Sequence, residues 1–147
     1  MTTNSSNDDS YGKEERKTPV FAPELRGRGG ELCSSDAYFV SRDGGLLHLH
    51  RVVLQGVSDF FKELCFDDCA DQEGPIPLDA GFEQLKVFFS LLYCDDMSSH
   101  LEAMPWTIVL EVAELASKYV TLHVLEACCA LVYRALQGTS KLEEVRL

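Results

Sequence analysis

The sequence predicts an α+β domain, and three observations predict it. Two short apolar runs between residues 36 and 50 flank Arg42, Asp43, Gly44 and Gly45, and an Asp-Gly pair between such runs signals a tight hairpin, Gly44 taking the positive φ. Directly after the hairpin the apolar spacing becomes helical, with Phe61, Leu64 and Cys65 sharing one face. Helical stripes then recur to residue 136.

In chain order, residues 1–30 are rich in Ser, Asn, Thr, Gly and mixed charge without sustained periodicity. Such composition cannot bury enough apolar surface to offset chain entropy, and the segment is expected to be a disordered tail. Inside it, Val20, Phe21 and Ala22 form an apolar island between Pro19 and Pro23. The expectation is that the island belongs to the tail; the alternative is an added edge strand.

The domain is expected over residues 31–137. Its first strand places Ala37 and Phe39 on one face and Tyr38 and Val40 on the other. Both sets are apolar, which predicts burial on both faces. Ser58 stands where a helix N-cap belongs. Residues 67–74 read as an acidic loop. Asp79 is expected to cap a helix that turns Phe82, Leu85, Phe88, Phe89 and Leu92 inward. Residues 94–104 read as a second loop, and Pro105 suits a first helical position. Val109, Val112, Ala113, Ala116 and Tyr119 then line one face. Thr121 is expected to cap the last helix, with Leu122, Leu125, Cys128, Cys129, Val132 and Leu136 inward and Gly138 as its stop. Residues 138–147 read as a C-terminal tail.

Composition bounds the function. A chain of 147 residues with 46% hydrophobic content can bury one core without staples. Its apolar runs fall short of the ~20 residues that span a bilayer, and its start lacks a secretory pattern. These features point to an intracellular protein, cytoplasmic or nuclear, with no membrane partner. Residues 1–30 hold five acidic and five basic groups, so the whole net charge of −11 falls on the rest. A surface that acidic repels phosphates, which argues against nucleic-acid binding, and the short run from Arg26 to Arg28 does not reverse it.

Six cysteines stand at positions 33, 65, 69, 94, 128 and 129. None are paired as Cys-x-x-Cys, so a zinc site is not expected. Cys65 and Cys69 are four apart without a neighbouring His, and adjacent Cys128 and Cys129 point about 100° apart on a helix. Buried free thiols are the expectation. His48 and His50 lie two apart on a strand with no third ligand in view, so His50 is expected to be a hydrogen-bonded structural histidine. Trp106, the sole tryptophan, suits either an interface anchor or a packed helix start. The sequence carries no Gly-rich phosphate loop, nucleophile elbow or plausible carboxylate pair, so neither catalysis nor a cofactor is expected.

Taken in order, Asp36, Leu49 with His50, Arg51, Val53 with Leu54, Ser58 and Phe61 resemble the opening of a BTB/POZ domain. The resemblance continues through a strand at Ile76, Pro77 and Leu78, a helix over residues 82–93, and the run Val112, Ala113, Leu115, Ala116, Tyr119. It covers roughly residues 31–137. It implies a BTB/POZ fold, a cluster of about five helices flanked by a short three-stranded sheet. It also implies a non-catalytic protein–protein interaction module that homodimerises or recruits other proteins. His50, Leu54, Ser58 and Phe61 are then structural motif residues. In dimerising members the positions of Asp36 and Arg51 form a charged pocket beneath the two-fold interface. The alternative here is an exposed pair contributing under ~1 kcal/mol. Adaptor-type members of cullin-RING ubiquitin ligases contact a cullin through the stretch matching Leu64, Phe66, Cys69 and Asp71. Cys69, Ala70 and Asp71 are a weaker version of that motif, and adaptors often add a helix pair after the domain.

Overall fold

The computed structural model of the chain describes residues 18–64 and 74–139. Strand β1 (Val20–Phe21) is followed by β2 (Ala37–Val40) and β3 (Leu46–Leu49), then helices α1 (Arg51–Val57) and α2 (Asp59–Glu63). Strand β4 (Ile76–Pro77) precedes α3 (Phe82–Tyr93), α4 (Met97–Glu102), α5 (Trp106–Lys118) and α6 (Leu122–Thr139). The class is α+β, as expected from the sequence. The pieces beyond expectation among the described residues are β1 and α4.

The sheet runs β1-β3-β2-β4, with β2 antiparallel to β3 and the outer strands parallel to their neighbours. The hairpin forms where the Asp-Gly pair placed it: Gly44 has φ +95°, and the Ser41 amide donates to the Gly45 carbonyl at 2.8 Å. Only one face of β2 is buried, which corrects the two-faced expectation. Ala37 and Phe39 are fully enclosed, while Tyr38 stands 44% exposed, its ring edge-on to that of His48 across the hairpin. Among the described residues the Tyr38 face of the hairpin stays partly open, with Leu46 and His48 half-buried, so a tyrosine suits it: its hydroxyl donates to the Ser35 carbonyl at 2.8 Å. Pro77 sits on edge strand β4, where its missing N–H breaks no ladder.

The island between Pro19 and Pro23 is a strand, not tail. Val20 and Phe21 pair in parallel with Leu46 and Leu47, and the Leu46 amide donates to the Pro19 carbonyl at 2.9 Å. The chain then folds back through an isolated bridge between Arg26 and Leu32. The small apolar area of the island understated its worth, because main-chain hydrogen bonds to an open sheet edge add to it. Residues 1–17 of the expected tail lie outside the described residues.

Two aspartates flank β2, and each caps a helix distant in sequence. The Asp36 carboxylate accepts the Arg51 amide N–H at 2.8 Å at the start of α1, where His50 supplies no side-chain cap. The Asp43 carboxylate accepts the Phe82 amide N–H at 2.9 Å at the start of α3, beside the Ser41 hydroxyl donating at 2.6 Å. Asp79, expected as that cap, instead receives Arg42 and Lys118. The residue preceding α3 is Gly81, and the cap arrives from the hairpin turn. A close approach makes this docking feasible, since Gly45 faces the Phe82 side chain with no room for a Cβ.

Helix α4 fills part of what reads as a loop. The Asp96 carboxylate accepts the Ser99 amide at 3.2 Å and its hydroxyl at 2.7 Å, and Leu101 is buried below. Pro105 is the residue before α5, one position from expectation and within the usual spread of helix ends. Helix α5 ends at Val120 with φ +50°: the Thr121 amide donates to the Ala116 carbonyl and the Val120 amide to that of Ser117. This pattern normally takes glycine at the left-handed position. Thr121 turns its hydroxyl back to the Ala116 carbonyl at 3.3 Å rather than capping α6. Along α6 the inward residues are Val124 and Cys128, with Leu125 beside them; Leu122, Cys129 and Leu136 face outward, and the helix runs through Gly138 to Thr139.

The core is aromatic at its centre. Phe61 lies 5.6 Å from Phe39, 5.7 Å from Phe89 and 5.2 Å from Tyr119 between ring centroids. Phe88 joins them from α3, 5.2 Å from Phe89. Such rings bury the most area per residue and add their own edge and face attraction.

A candidate interaction surface

The junction between β3 and α1 gathers the residues singled out in the sequence. His50 is buried and fully hydrogen-bonded. Its amide N–H donates to the Tyr93 hydroxyl oxygen at 2.9 Å, Nδ1 lies 2.8 Å from the same oxygen, and Nε2 lies 3.0 Å from the Cys33 carbonyl. All three contacts are hydrogen-bond contacts, and both ring nitrogens are engaged, Nδ1 with the Tyr93 hydroxyl and Nε2–H with the Cys33 carbonyl. Burial pushes the Tyr93 phenol well above its ordinary range, and the negative charge of Asp36 adds to that. The histidine is therefore a three-way clasp between the segment before β2, helix α1 and helix α3. Among the described residues no group of three or more His, Cys, Asp or Glu can hold a metal ion.

Asp36 and Arg51 meet, but not as a side-chain ion pair. The contact runs from the Asp36 carboxylate to the Arg51 main-chain N–H. The Arg51 side chain is half-buried, and its Nε is enclosed without a hydrogen-bond partner among the described residues. Asp36 itself is exposed, as is Val52, the next residue along α1, at 69%. Asp36 thus does two things at once: it caps the start of α1 and presents a negative charge at the surface.

The remaining motif residues are internal. Leu54 and Phe61 are fully buried, and Ser58 caps α2 by accepting the Phe61 amide at 3.1 Å. Of the stretch implied to meet a cullin, Leu64 packs half-buried against the core. Phe66, Cys69 and Asp71 lie outside the described residues, as does Cys65. The free thiols that are described divide: Cys128 is buried, Cys33 and Cys94 half-buried, and Cys129 exposed, against expectation.

A second cluster of charge joins the hairpin turn, the segment before α3 and the end of α5. Arg42 Nε lies 3.1 Å from one Asp79 carboxylate oxygen, Lys118 Nζ 3.5 Å from the other, and both cations also donate to the Asp79 carbonyl. The Arg42 hydrogen bond, then the Lys118 charge, hold the Asp79 carboxyl below its usual range. These groups are largely exposed, so the cluster steers the β4–α3 connection more than it stabilises. Trp106 is 48% exposed and flanks an apolar groove with Leu110 and Leu136. The spacing of Trp106 and Leu110, four apart and off the inward stripe of α5, was the sequence signal for an outward apolar face. No helix among the described residues is long and apolar enough to cross a membrane.

Comparison with known families matches residues 27–136 to the BTB/POZ domain. A search of curated proteins finds no match. The matched span starts four residues before the expected boundary, inside the bridge formed by Arg26 and Leu32.

Proposed function

The chain belongs to the BTB/POZ domain family, a family of protein-interaction modules, and from that premise we propose that it homodimerises through the face bearing Asp36, Arg51 and Val52. The observation that carries this reading is Arg51 Nε, enclosed yet without an acceptor among the described residues. A buried donor left unpaired costs roughly 1–3 kcal/mol, and a second copy can contribute the acceptor. An isologous contact repeats each residue on both sides, so each copy presents Asp36 as an anion and Arg51 as a cation. Two chains of net charge −11 need such local compensation to approach closely. Exposed Val52 and Tyr38 supply apolar area beside it.

The cullin-adaptor reading rests on Leu64, Phe66, Cys69 and Asp71, and Leu64, the described member, spends part of its surface on the core. Homodimerisation is therefore the better supported of the two.

Sedimentation tests it. Wild-type protein should run as a dimer at micromolar concentration. Asp36→Asn keeps an oxygen for the Arg51 amide but removes the charge, and should shift the protein to monomer with its circular dichroism unchanged. Glu102→Gln, far away on α4, should leave the dimer intact. A wild-type monomer at that concentration overturns the reading.

A further inference from the structure

Helices α3 and α5 leave a groove of about 230 Å³ between them, lined by Glu83, Gln84 and Val87 from α3 and by Ile108, Glu111 and Val112 from α5. Val112 is buried, and Val87 and Ile108 pack half-buried against the core. Glu111 is also half-buried, yet its carboxylate has no hydrogen bond or ion pair among the described residues. Asp36, Asp43, Asp79 and Asp96 are all more exposed, and each of those carboxylates is engaged. A carboxylate partly withdrawn from water without a partner is unfavourable, and a cation arriving in the groove offsets that cost.

We propose that this groove receives an arginine side chain from a basic segment of another protein. Its apolar residues suit the aliphatic stem, and its two carboxylates suit the planar guanidinium. Glu111 is the principal partner. Glu83 is the second, mostly exposed and held only loosely by Lys86 at 3.7 Å. Arginine is favoured over lysine because its charge is delocalised and more weakly hydrated, which lowers the cost of entering a half-buried site. Its fork also meets a carboxylate with two parallel hydrogen bonds.

Other occupants fit less well. The volume lies below the ~300 Å³ at which sites for drug-sized ligands begin. A calcium ion collects about six to eight oxygen ligands, whereas no group of three or more metal-ligating side chains occurs among the described residues. A second copy of the chain brings a net charge of −11, and the groove is lined by no cation to compensate it, unlike the face bearing Asp36 and Arg51. The same charge draws a basic segment in. The family is one of protein-interaction modules, so a protein is the carrier of that cation.

The test titrates N-acetyl-arginine amide into the isotope-labelled full-length chain and follows its amide NMR shifts. Saturable shifts are expected at Glu83, Val87, Ile108, Glu111 and Val112, with half-saturation on the order of millimolar for one anchoring side chain. Glu111→Gln keeps the shape, removes the charge and should weaken binding about tenfold or more. Glu83→Gln should weaken it less; if Glu111→Gln does not fold, unchanged affinity in Glu83→Gln overturns the proposal. N-acetyl-lysine amide, of equal charge, should bind more weakly, and equal affinity for the two overturns it. So do shifts that never saturate, that spread equally to Glu102 and other exposed carboxylates, or that persist unchanged in Glu111→Gln. Calcium chloride alone saturating the same shifts would assign the groove to a metal ion. Shifts that grow with protein concentration before any probe is added would assign it to a second copy, and either result overturns the proposal. Asp36→Asn should bind the probe as wild type does, which separates this outcome from the dimer described above.

Discussion

The Ser58 hydroxyl donates to the Tyr119 carbonyl at 2.5 Å while accepting the Phe61 amide at 3.1 Å. One oxygen thereby closes the end of α5 and opens α2, across 61 residues of sequence. Ser58 is also the last residue of the α1 turn, its amide held by the Leu54 carbonyl at 3.0 Å. Three helices meet at this side chain, and it is almost fully buried.

Ser58→Ala leaves the Phe61 amide and the Tyr119 carbonyl without their partner in the core. The expected loss is about 2–4 kcal/mol, from the cap and the unpaired carbonyl together. The phenol of Tyr119 behaves oppositely, because its buried hydroxyl has no well-formed hydrogen bond among the described residues, the Asp79 main chain being its nearest polar influence. Tyr119→Phe should therefore be neutral or stabilise by up to about 1 kcal/mol. Urea unfolding of both variants checks the pair, and a Ser58→Ala protein as stable as wild type would refute the shared-cap reading.

At Gly45, alanine is expected to act against its usual sign. Replacing a glycine whose backbone angles suit other residues by alanine ordinarily gains ~0.4–1 kcal/mol. Here a Cβ would stand 2.9 Å from the Phe82 Cβ, and the root of that side chain cannot swing aside. Gly45→Ala should cost about 1–3 kcal/mol as the hairpin is pushed off α3. A thermal melt at or above the wild-type midpoint would contradict the close approach.

Stability should fall in acid partly through Asp43. Its carboxyl is held below the usual range, first by the Ser41 hydroxyl and then by the Phe82 amide. A carboxylate with a lowered folded value contributes stability above its unfolded value. That contribution disappears as pH falls through the folded one. Asp43→Asn keeps the acceptor for Phe82 without titrating, so its stability should change less between neutral and acidic pH than the wild type's. Equal slopes for the two proteins in pH-dependent denaturation would exclude Asp43 as a contributor.

Val120 holds φ at +50°, in the left-handed region, where a β-branched residue is strained by roughly 1–3 kcal/mol. Glycine removes the strain but frees the unfolded chain, returning ~0.5–1 kcal/mol. Because Val120 is already 39% exposed, little packing is lost. Val120→Gly should stabilise by about 1 kcal/mol, read as a raised melting temperature; a lowered one would mean the side chain packs more than it strains.

Local chemistry made much of this chain legible. Gly44 after Asp43 specified the turn, because only a residue at ease with positive φ fits there. Ser58 before a helical stripe specified the α2 cap, and the spacing of Val109, Val112, Ala116 and Tyr119 specified the inward face of α5. The order of these features, with Asp36, His50 and Arg51, was sufficient for the family. All depend on residues within a turn or two of one another, where spacing and geometry are tightly linked.

Tertiary structure alone decided the rest, because contacts across the fold leave no mark in spacing. Asp36 and Asp43 cap α1 and α3 from the two ends of β2, and Asp79, the local choice, is drawn away by Arg42 and Lys118. The strand at Val20 and Phe21 exists because β3 offers an open edge, a property of the sheet and not of the island. Which residues of α6 face inward was set by where α5 lies, so that Val124 entered the core while Leu122 and Leu136 did not. The exposed charge of Asp36 and the unpaired Nε of Arg51 arise the same way: their residue types were readable in sequence, and their partners depend on what the fold places beside them.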